Sequence, residues 1–374
     1  MFIQHEMVEL LEELVRLESP SHDKHALDRL AKLLANRLLF LGASVEVVPN
    51  ASGGDHVLGR FHHAGKLRPA LVLGHFDTVW PRGTLDRMPL RIDEDGRGFG
   101  PGVFDMKASL AIFLSVIEQL GKSSQFLPRP VWVLLTSDEE IGSPTSRGLI
   151  EQLATESAYV LVLEPALANG GLKTSRKGVG RFRLAVEGKA AHAGVAPQDG
   201  RSAIVELAHQ ILNLQTLQDL AAGTTINAGV IEGGTTPNVV PARASAEIDV
   251  RVASQAEESR IIAALRALEP GMEGTRLNIT GSFNRPPMER TAAIAALFHQ
   301  AREIGRGLGL ELSEGSTGGG SDGNFTAALG VPTLDGLGAR GGGAHADDEH
   351  VILASLPERA ELLYGLLRFL RTET

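Results

Sequence analysis

The chain has 374 residues, with 36 Lys and Arg against 45 Asp and Glu, and it contains no Cys. Its length predicts two domains, and its formal net charge of -9 argues against nucleic acid as a partner, because phosphate backbones are bound by clustered Lys and Arg. Without Cys, a metal would have to be held by His, Asp and Glu. The N-terminal segment reads as an amphipathic helix, and no apolar run has the length of a membrane span. We therefore expect a soluble cytoplasmic enzyme with no membrane partner.

The first part of the chain alternates helical and strand patterns. Short apolar runs between amphipathic segments are typical of a mainly parallel sheet that helices cover on both faces. We predict strands at 45–48, 70–73, 131–136 and 159–163, and helices at 27–41, 107–120 and 146–154. In such α/β sheets ligands bind beyond the carboxyl ends of the strands.

From about residue 175 apolar residues recur at every second position, which indicates strands with one face exposed to solvent. The predicted elements are strands at 181–186, 242–252 and 277–279 and helices at 201–217 and 255–268. With one further strand between residues 217 and 242, the order is strand, helix, strand, strand, helix, strand, which predicts an inserted α+β, ferredoxin-like domain. Helices at 291–308 and 356–370 then resume the first pattern. The predicted division is a first catalytic part at 1–176, an inserted domain at 177–288 and a second catalytic part at 289–374.

Residue types that bind metals follow several of the predicted strands. His75 and Asp77 end one strand, and alternation puts both on one face, so Asp77 could orient the imidazole that His75 offers to a metal. Asp105 follows a Gly-Pro-Gly turn and precedes a helix, where alone it would be a helix cap. Each of these two motifs has an ordinary structural explanation when it is considered by itself.

Acidic residues end the next two predicted strands. Asp138, Glu139 and Glu140 stand in a row, and adjacent carboxylates repel one another unless cations lie between them. Glu164 directly follows an apolar strand, a costly place for an unpaired charge. His345, in a Gly-rich segment near the C-terminus, is a further candidate ligand, and His350 is a weaker one.

Together these residues predict a site for two zinc ions, which cobalt or manganese could replace with the same N and O ligands. One hydroxide and the carboxylates of Asp105, Glu140 and Glu164 balance the charge of two divalent ions. Closely spaced metals need a bridging carboxylate, and we assign that role to Asp105. Glu139 then lies outside the ligand set and is the candidate general base.

The chain resembles the two-zinc exopeptidases and deacylases that include bacterial glutamate carboxypeptidase, acetylornithine deacetylase and succinyl-diaminopimelate desuccinylase. The matching stretches sample most of the chain: GHFDTV, GPGVFDMKAS, SDEEIGS, LEPA, AAHAGVAPQDGRSA, GGTTPNVVPARASAEIDVR, GGGSDGNF and GAHADDEHV. The resemblance implies a zinc-exopeptidase fold whose inserted domain is a lid that mediates homodimerisation in many members. It implies the ligands, orienting residue and base named above, and a cis peptide after Asp105.

The resemblance also implies roles in the inserted domain. His192 would donate to the oxyanion of the scissile carbonyl, and in some members this residue reaches the partner subunit's site. Asn238 and Arg251 would bind the substrate carboxylate as a pair, and Arg285 could serve similarly. The alternative for Arg251 is a cross-strand salt bridge with Glu247 or Asp249.

Three functions are compatible with these patterns. The first is a glutamate carboxypeptidase-like metallo-exopeptidase, which cleaves an amide bond next to a free carboxylate in a peptide or N-acyl amino acid. The second is an N-acyl amino acid deacylase of the acetylornithine deacetylase or desuccinylase type. The third is a dimeric binding scaffold without catalysis, against which the intact ligand set argues. The first two differ only in the side chain that the pocket accepts.

Overall fold

The computed structural model describes residues 2–62, 66–122 and 127–371, which form two compact units. The first unit comprises Met1–Ser175, Arg290–Ser316 and Ser321–Thr374. The second comprises Arg176–Glu289 and Thr317–Gly320. Within the described residues, no helix is both long and apolar enough to cross a membrane.

The α-helices are numbered in chain order. They are α1 Gln4–Arg16, α2 Lys24–Phe40, α3 Thr84–Arg87, α4 Ala108–Lys122, α5 Arg147–Glu156, α6 Ala203–Gln215, α7 Gln255–Arg266, α8 Ala292–Gly307, α9 Gly323–Ala328 and α10 Ser355–Phe369. Short turns of other helical types lie at Val103–Lys107, Glu139–Ile141 and Pro197–Asp199.

The strands are numbered in the same way. They are β1 Ser44–Val48, β2 His56–Phe61, β3 Ala70–His75, β4 Arg91–Ile92, β5 Arg97–Phe99, β6 Val131–Thr136, β7 Tyr159–Val162, β8 Leu172–Arg176, β9 Gly178–Glu187, β10 Ala191–His192, β11 Thr225–Gly233, β12 Val239–Val240, β13 Arg243–Val252, β14 Arg276–Arg285, β15 Glu314–Thr317, β16 Thr333–Leu334, β17 Gly341–Gly342 and β18 His350–Ile352.

The first unit is built on a six-stranded sheet in the order β1-β2-β6-β3-β7-β16. Strands β6, β3, β7 and β16 are parallel, and β1 and β2 join them as an antiparallel edge. Along β3, Val72 packs into one apolar cluster while Leu71 and Leu73 pack into another on the opposite face. Because both faces are buried, β3 needs a continuous apolar run, which is the pattern in the sequence. The predicted mixed, mainly parallel α/β sheet is confirmed.

Several features of the first unit differ from the sequence prediction, which also lacks β8, β15, β16, α3 and α9. Strand β2 and the small β17-β18-β5-β4 sheet were not predicted, because their residues are few or mixed in polarity. The helix predicted from residue 107 begins at Ala108, since the backbone of Asp105 and Met106 is not helical. The Asp105–Met106 peptide bond is cis, as the family resemblance implies.

The second unit has a four-stranded antiparallel sheet in the order β11-β13-β9-β14. Alternate side chains of β9 and β13 are buried in one cluster with apolar residues of α6 and α7, so the helices cover a single face. This strand order and the β-α-β-β-α-β sequence of elements are those of a ferredoxin-like sandwich. The last strand is longer than the three residues predicted for it.

The short segment Thr317–Gly320 belongs to the second unit although it is distant in sequence. Arg176 is buried and donates hydrogen bonds to the carbonyl oxygens of Gly319 and Gly320 at 3.2 Å. A side chain at position 320 would meet Arg285 at 2.7 Å, so glycine permits the close approach of this backbone to the guanidinium groups.

Candidate active site

Three of the predicted motifs meet at the carboxyl ends of the central strands of the large sheet. Strand β3 lies between β6 and β7 and is parallel to both, so the three carboxyl ends are adjacent. His75 ends β3, Glu139 and Glu140 follow β6, and Glu164 follows β7. The strand order therefore places an imidazole and several carboxylates together, as the alternation of helix and strand predicts.

His75 is buried and has different groups at its two ring nitrogens. Its Nδ1 lies 3.3 Å from Oδ1 of Asp77 and 3.1 Å from the carbonyl oxygen of the same residue. Its Nε2 lies 3.2 Å from Oδ1 of Asp105 and 3.5 Å from Oε1 of Glu164. Burial disfavours the imidazolium, but hydrogen bonds with Asp105, Asp77 and Glu164 outweigh burial and raise the pKa of His75 well above its ordinary value. This is the arrangement of a metal-ligating His with an orienting carboxylate.

Asp105 lies between two imidazoles. Its Oδ1 faces Nε2 of His75, and its Oδ2 lies 3.5 Å from Nε2 of His345. Burial opposes ionisation, but the hydrogen bonds with His345 and His75 hold the pKa of Asp105 below its usual range. Since each oxygen is directed at a different His, the carboxylate has the arrangement that a bridge between two metals requires.

Glu140 has one carboxylate oxygen engaged and one without a partner. Its Oε2 lies 3.1 Å from Nε2 of His345, while its Oε1 is buried and has no hydrogen-bond partner among the described residues. Burial raises the pKa of Glu140 to about 7, although the contact with His345 acts in the opposite direction. Hydrogen bonds with Asp105 and Glu140 raise the pKa of His345 to about 10.

Among the residues that the structure describes, two sets of side chains could hold a metal ion. The possible ligand atoms of His75, Asp105 and Glu140 lie within 4.8 Å of one another, as do those of His75, Glu139 and Glu164. Carboxylates packed this closely repel one another unless cations neutralise them. The orphaned Oε1 of Glu140 and the exclusively N and O donor set fit a divalent cation.

Asp77 connects the imidazole to the segment that carries Glu139 and Glu140. It is fully buried and accepts a hydrogen bond from Oγ of Ser21 at 2.8 Å. The backbone N–H groups of Glu139 and Glu140 also donate to its two oxygens, both at 3.2 Å. One carboxylate thus orients His75 and fixes the turn that presents the other two.

Glu349 supports this site, and the sequence analysis missed it. It is buried, burial raises its pKa, and it accepts hydrogen bonds from the indole N–H of Trp80 and from the backbone N–H groups of Gly102, Phe104 and Asp105. A carboxylate between Asp348 and His350 in a polar run carries no signal of burial, so only the fold reveals that it holds the turn bearing Asp105.

The structure separates His345 from His350, the weaker candidate. His345 has φ of +64°, a left-handed conformation that non-Gly residues rarely adopt, and it faces Asp105 and Glu140. His350 lies on β18 with Nδ1 2.9 Å from the carbonyl oxygen of Asp348, and its ring packs against Phe99. His345 is therefore the His that shares this cluster.

In the second unit, β10 and β12 place His192 beside Asn238. His192 pairs with Val239 in register, and the N–H of Ala193 donates to the carbonyl oxygen of Asn238 at 2.9 Å. The side chain of His192 is exposed, and its Nδ1 accepts from the backbone N–H groups of Gly194 and Val195 at 3.2 Å. Because Nδ1 is an acceptor, the proton of the neutral ring lies on Nε2, which is available as a donor.

Arg251 and Arg285 lie at another place in the same unit. Both residues are paired with Val179 across β9, one from each neighbouring strand. Arg251 forms a bidentate ion pair with Asp249 at 2.8 and 2.9 Å, so the alternative partner suggested by the sequence is observed, along the strand rather than across it.

Asn238 and Arg251 do not form a pair within one chain, contrary to the expectation from the resemblance. Asn238 lies in the connection between β11 and β13, beyond the pair Gly233–Ala244, whereas Arg251 pairs with Thr225 at the other end of this hairpin. With a rise of about 3.3 Å per residue, the eight steps from Arg243 to Arg251 span roughly 25 Å. A single substrate carboxylate could not contact both side chains of one subunit.

Comparisons with known proteins give a consistent result. The profile of peptidase family M20/M25/M40 matches residues 71–368. The chain is 30% identical over 371 residues to carboxypeptidase G2 of Pseudomonas sp., with 96% of this chain and 88% of that protein covered. It is 27% identical to succinyl-diaminopimelate desuccinylase of Delftia acidovorans, with 93% and 94% covered.

Solved structures share the fold over nearly the whole chain. Aminopeptidase PepT from Bacillus cereus superposes with a TM-score of 0.84 at 23% identity, covering 98% of each chain. The M20 family metallo-carboxypeptidase Sso-CP2 from Sulfolobus solfataricus gives 0.77 at 20% identity, with 97% of this chain and 98% of that chain covered. At these identities the similarity shows the fold alone.

Proposed function

The chain belongs to peptidase family M20/M25/M40, and from this membership we propose a zinc-dependent carboxypeptidase that cleaves an amide bond next to a free carboxylate. The observation that carries the proposal is the set of carboxylates and imidazoles at the centre of the sheet edge. The similarity to carboxypeptidase G2 favours a glutamate-type substrate.

We propose that His75, Asp105 and Glu164 would hold one ion and that Asp105, Glu140 and His345 would hold the second. Bound divalent ions would supply Lewis-acid polarisation of the scissile carbonyl and an acidified water. The ligand set accepts zinc, cobalt or manganese. Asp77 would keep the Nδ1 proton of His75 and leave Nε2 as the ligand atom, because its Oδ1 faces Nδ1.

Glu139 is the proposed general base and acid. It would take a proton from the attacking water and deliver it to the leaving amine. The backbone N–H of Glu139 donates to the carboxylate of Asp77, the residue that orients His75. Asp77 therefore also fixes the turn from which the Glu139 side chain extends. In the second unit, the Nε2–H group of His192 would donate to the developing oxyanion, and Asn238, Arg251 and Arg285 would bind the substrate.

We further propose that the second unit acts as a lid and forms a homodimer. Within one chain Asn238 and His192 are far from Arg251, so a substrate site that contains all three residues would take either the Asn and His or the Arg from a second copy. Helix α6 and edge strand β11 expose an apolar surface that suits such contact, made of Ile204, Val205, Leu212, Val230 and Ile231. Replacing Leu212 by Lys should shift the mass measured by light scattering from dimer to monomer.

A second candidate function is removal of an N-acyl group, which the similarity to succinyl-diaminopimelate desuccinylase favours. A panel of acyl-glutamate, acetyl-ornithine and succinyl-diaminopimelate amides, offered to zinc-loaded protein, separates the two. Hydrolysis of none of them would support a non-catalytic scaffold instead. The cytoplasm remains the predicted location, and cell fractionation would test it.

The decisive variant is Glu139→Gln. It keeps the size of the side chain and removes the basic oxygen, so we expect zinc content to be unchanged and turnover to be lost. Glu140→Gln is the matched control, because there zinc content should fall as well. If Glu139→Gln retained activity, the assigned base would be wrong.

A further inference from the structure

The β6 loop, residues 136–143, carries the proposed base and one proposed metal ligand, and a carboxylate from a distant segment joins its two ends. Asp322 is buried, and its Oδ2 accepts a hydrogen bond from Oγ1 of Thr136, the last residue of β6, at 3.3 Å. Its Oδ1 accepts from Oγ of Ser143 at the other end of the loop. Each oxygen of one side chain therefore holds one end of the β6 loop.

Ser143 has a conformation that needs such a restraint. It is fully buried with φ of +58°, in the left-handed region that residues other than Gly rarely adopt. Its N–H donates to the carbonyl oxygen of Asp138 at 2.8 Å, and its own carbonyl oxygen accepts from the N–H of Arg147 at 3.1 Å. A strained backbone persists where its surroundings hold it in place. The hydrogen bond to Asp322 is one of the contacts that hold the point where the β6 loop turns towards α5.

The position of Asp322 in the sequence suggests a different role, which its side chain does not perform. Asp322 directly precedes α9, where an Asp usually accepts hydrogen bonds from the first N–H groups of the helix. Its carboxylate makes no capping hydrogen bond to α9. The two hydroxyl groups of the β6 loop are its observed donors instead.

The turn that presents Asp322 is anchored to the large sheet. The hydroxyl of Ser321 donates to Oδ2 of Asp335 at 2.6 Å and accepts from the N–H of Gly323 at 3.1 Å. A side chain at position 323 would meet Cγ2 of Val162, the last residue of β7, at 3.1 Å, so glycine permits this close approach. Asp322 is thus fixed beside the end of β7 and contacts the loop that follows β6.

Asp77 restrains the middle of the same loop. The N–H groups of Glu139 and Glu140 donate to its two oxygens, whereas Asp322 acts at residues 136 and 143. The loop is therefore held at its centre and at both ends by two buried carboxylates. Such restraint matters for chemistry, because a displacement of roughly 1 Å at a reacting group can reduce the rate by about 100-fold.

We infer that Asp322 is a positioning residue, which acts through Ser143 and Thr136 to hold Glu139 and Glu140 in their working places. The inference rests on the proposed function, which makes Glu139 the general base and Glu140 a ligand of the second metal ion. Loss of this carboxylate should therefore impair both proton transfer and the binding of one ion, while recognition of the substrate carboxylate is retained.

The test is Asp322→Ala, which removes both acceptors. We expect kcat for an N-acyl-glutamate to fall by about tenfold or more with little change in KM. Zinc measured by elemental analysis should fall from two ions per chain towards one, because Glu140 is proposed to bind only one of them. Asp322→Asn keeps one acceptor oxygen and should give an intermediate kcat. Asp138→Ala is the matched control, since its buried carboxylate accepts from Thr145 and Ser146, and it should lower the melting temperature while leaving kcat and zinc content unchanged.

A double-mutant cycle tests whether Asp322 acts through Ser143. Ser143→Ala should also lower kcat, and adding Asp322→Ala to it should lower kcat by a smaller factor than Asp322→Ala does alone. If Asp322→Ala does not fold, the same cycle is run with Asp322→Asn. Independent, multiplicative losses would show that the two residues do not act together and would overturn the inference.

The zinc measurement separates failure of the inference from failure of the proposed function. Full zinc content and unchanged kcat in Asp322→Ala, or equal losses in Asp322→Ala and Asp138→Ala, would overturn the inference and leave the function. Absence of hydrolysis by the unaltered enzyme, with a zinc content that still depends on Asp322, would overturn the function and leave the positioning of Glu140.

Discussion

The polar residues of the two units are organised in different ways. In the first unit, three adjacent parallel strands end at one edge, and each delivers a ligand-type side chain to a cluster only a few ångströms across. In the second unit, His192 and Asn238 lie at one end of the β11–β13 hairpin while Arg251 lies at the other. The first set of side chains forms one cluster, and the second set is divided between two ends of a hairpin.

This difference shows which functional residues can be brought together by strand topology alone. Parallel strands point their carboxyl ends in one direction, so residues distant in sequence must meet there. An antiparallel hairpin sends its connection and its far strand ends in opposite directions, and residues at those positions stay apart. We expect variants in the first unit to affect chemistry and metal content, and variants in the second to affect substrate recognition and assembly.

The largest loss of kcat/KM in this series is expected at Asp105, whose carboxylate oxygens face both imidazoles of the cluster. Asp105→Ala should reduce kcat/KM by more than about 100-fold, a larger loss than that typical of residues that only orient a ligand. Zinc measured by elemental analysis should fall by at least one ion per chain. An unchanged thermal melting curve would exclude misfolding, and full zinc content would contradict the bridging role.

Asp77→Asn should have the next largest effect. Its Oδ1 faces Nδ1 of His75, and loss of such an orienting carboxylate typically costs roughly 10–100-fold in metal affinity or activity. Asp138→Asn is the matched control, because Asp138 is also buried after a strand, but its carboxylate accepts hydrogen bonds from Thr145 and Ser146 and not from the metal cluster. That control should lower the free energy of unfolding and leave zinc affinity unchanged. Equal zinc affinities for the two variants would remove Asp77 from the metal site.

Much of the first unit could be predicted from the sequence because its signals are local. Each of the apolar runs at β3, β6 and β7 ends within a few residues of a ligand-type residue, and strand polarity then implies that the ends converge. Glu349 could not be found in this way. Its burial depends on the contact of the β18 region with the turn at 102–105, which are far apart in sequence.

In the second unit the sequence predicted the burial of residues better than the distances between them. Period-two alternation in β9 and β13 predicted which residues are buried, because each strand has one packed face. It did not predict that Asn238 and Arg251 would lie apart, since alternation gives the face of a residue and says nothing about its distance along the sheet. Nor does any local pattern place residues 317–320 beside Arg176 and Arg251.

A substitution of Arg251 tests whether the second unit contributes to substrate binding rather than to the chemical step. Arg251→Ala should raise KM by roughly 10- to 100-fold with little change in kcat, since a charge-assisted hydrogen bond contributes about 1.5–3 kcal/mol. Arg183→Ala is the control, because Arg183 forms an exposed ion pair with Glu247 and such pairs contribute little. A loss confined to kcat, or an equal effect of both variants, would show that Arg251 does not bind substrate.

The smallest expected signal is a partial return of activity, which tests whether the second unit completes the site of another copy. Glu139→Gln and His192→Ala should each be inactive as homodimers, because one lacks the base and the other the oxyanion donor. If His192 acts across the dimer, random mixing gives hybrid dimers with one intact site in two, and about one quarter of wild-type activity should return. Mixing in the Leu212→Lys background, where dimers should not form, is the control. Recovery of no activity in a mixture proven to contain hybrid dimers would place His192 in the site of its own chain, and the spacing of Asn238 and Arg251 would then need movement within the second unit.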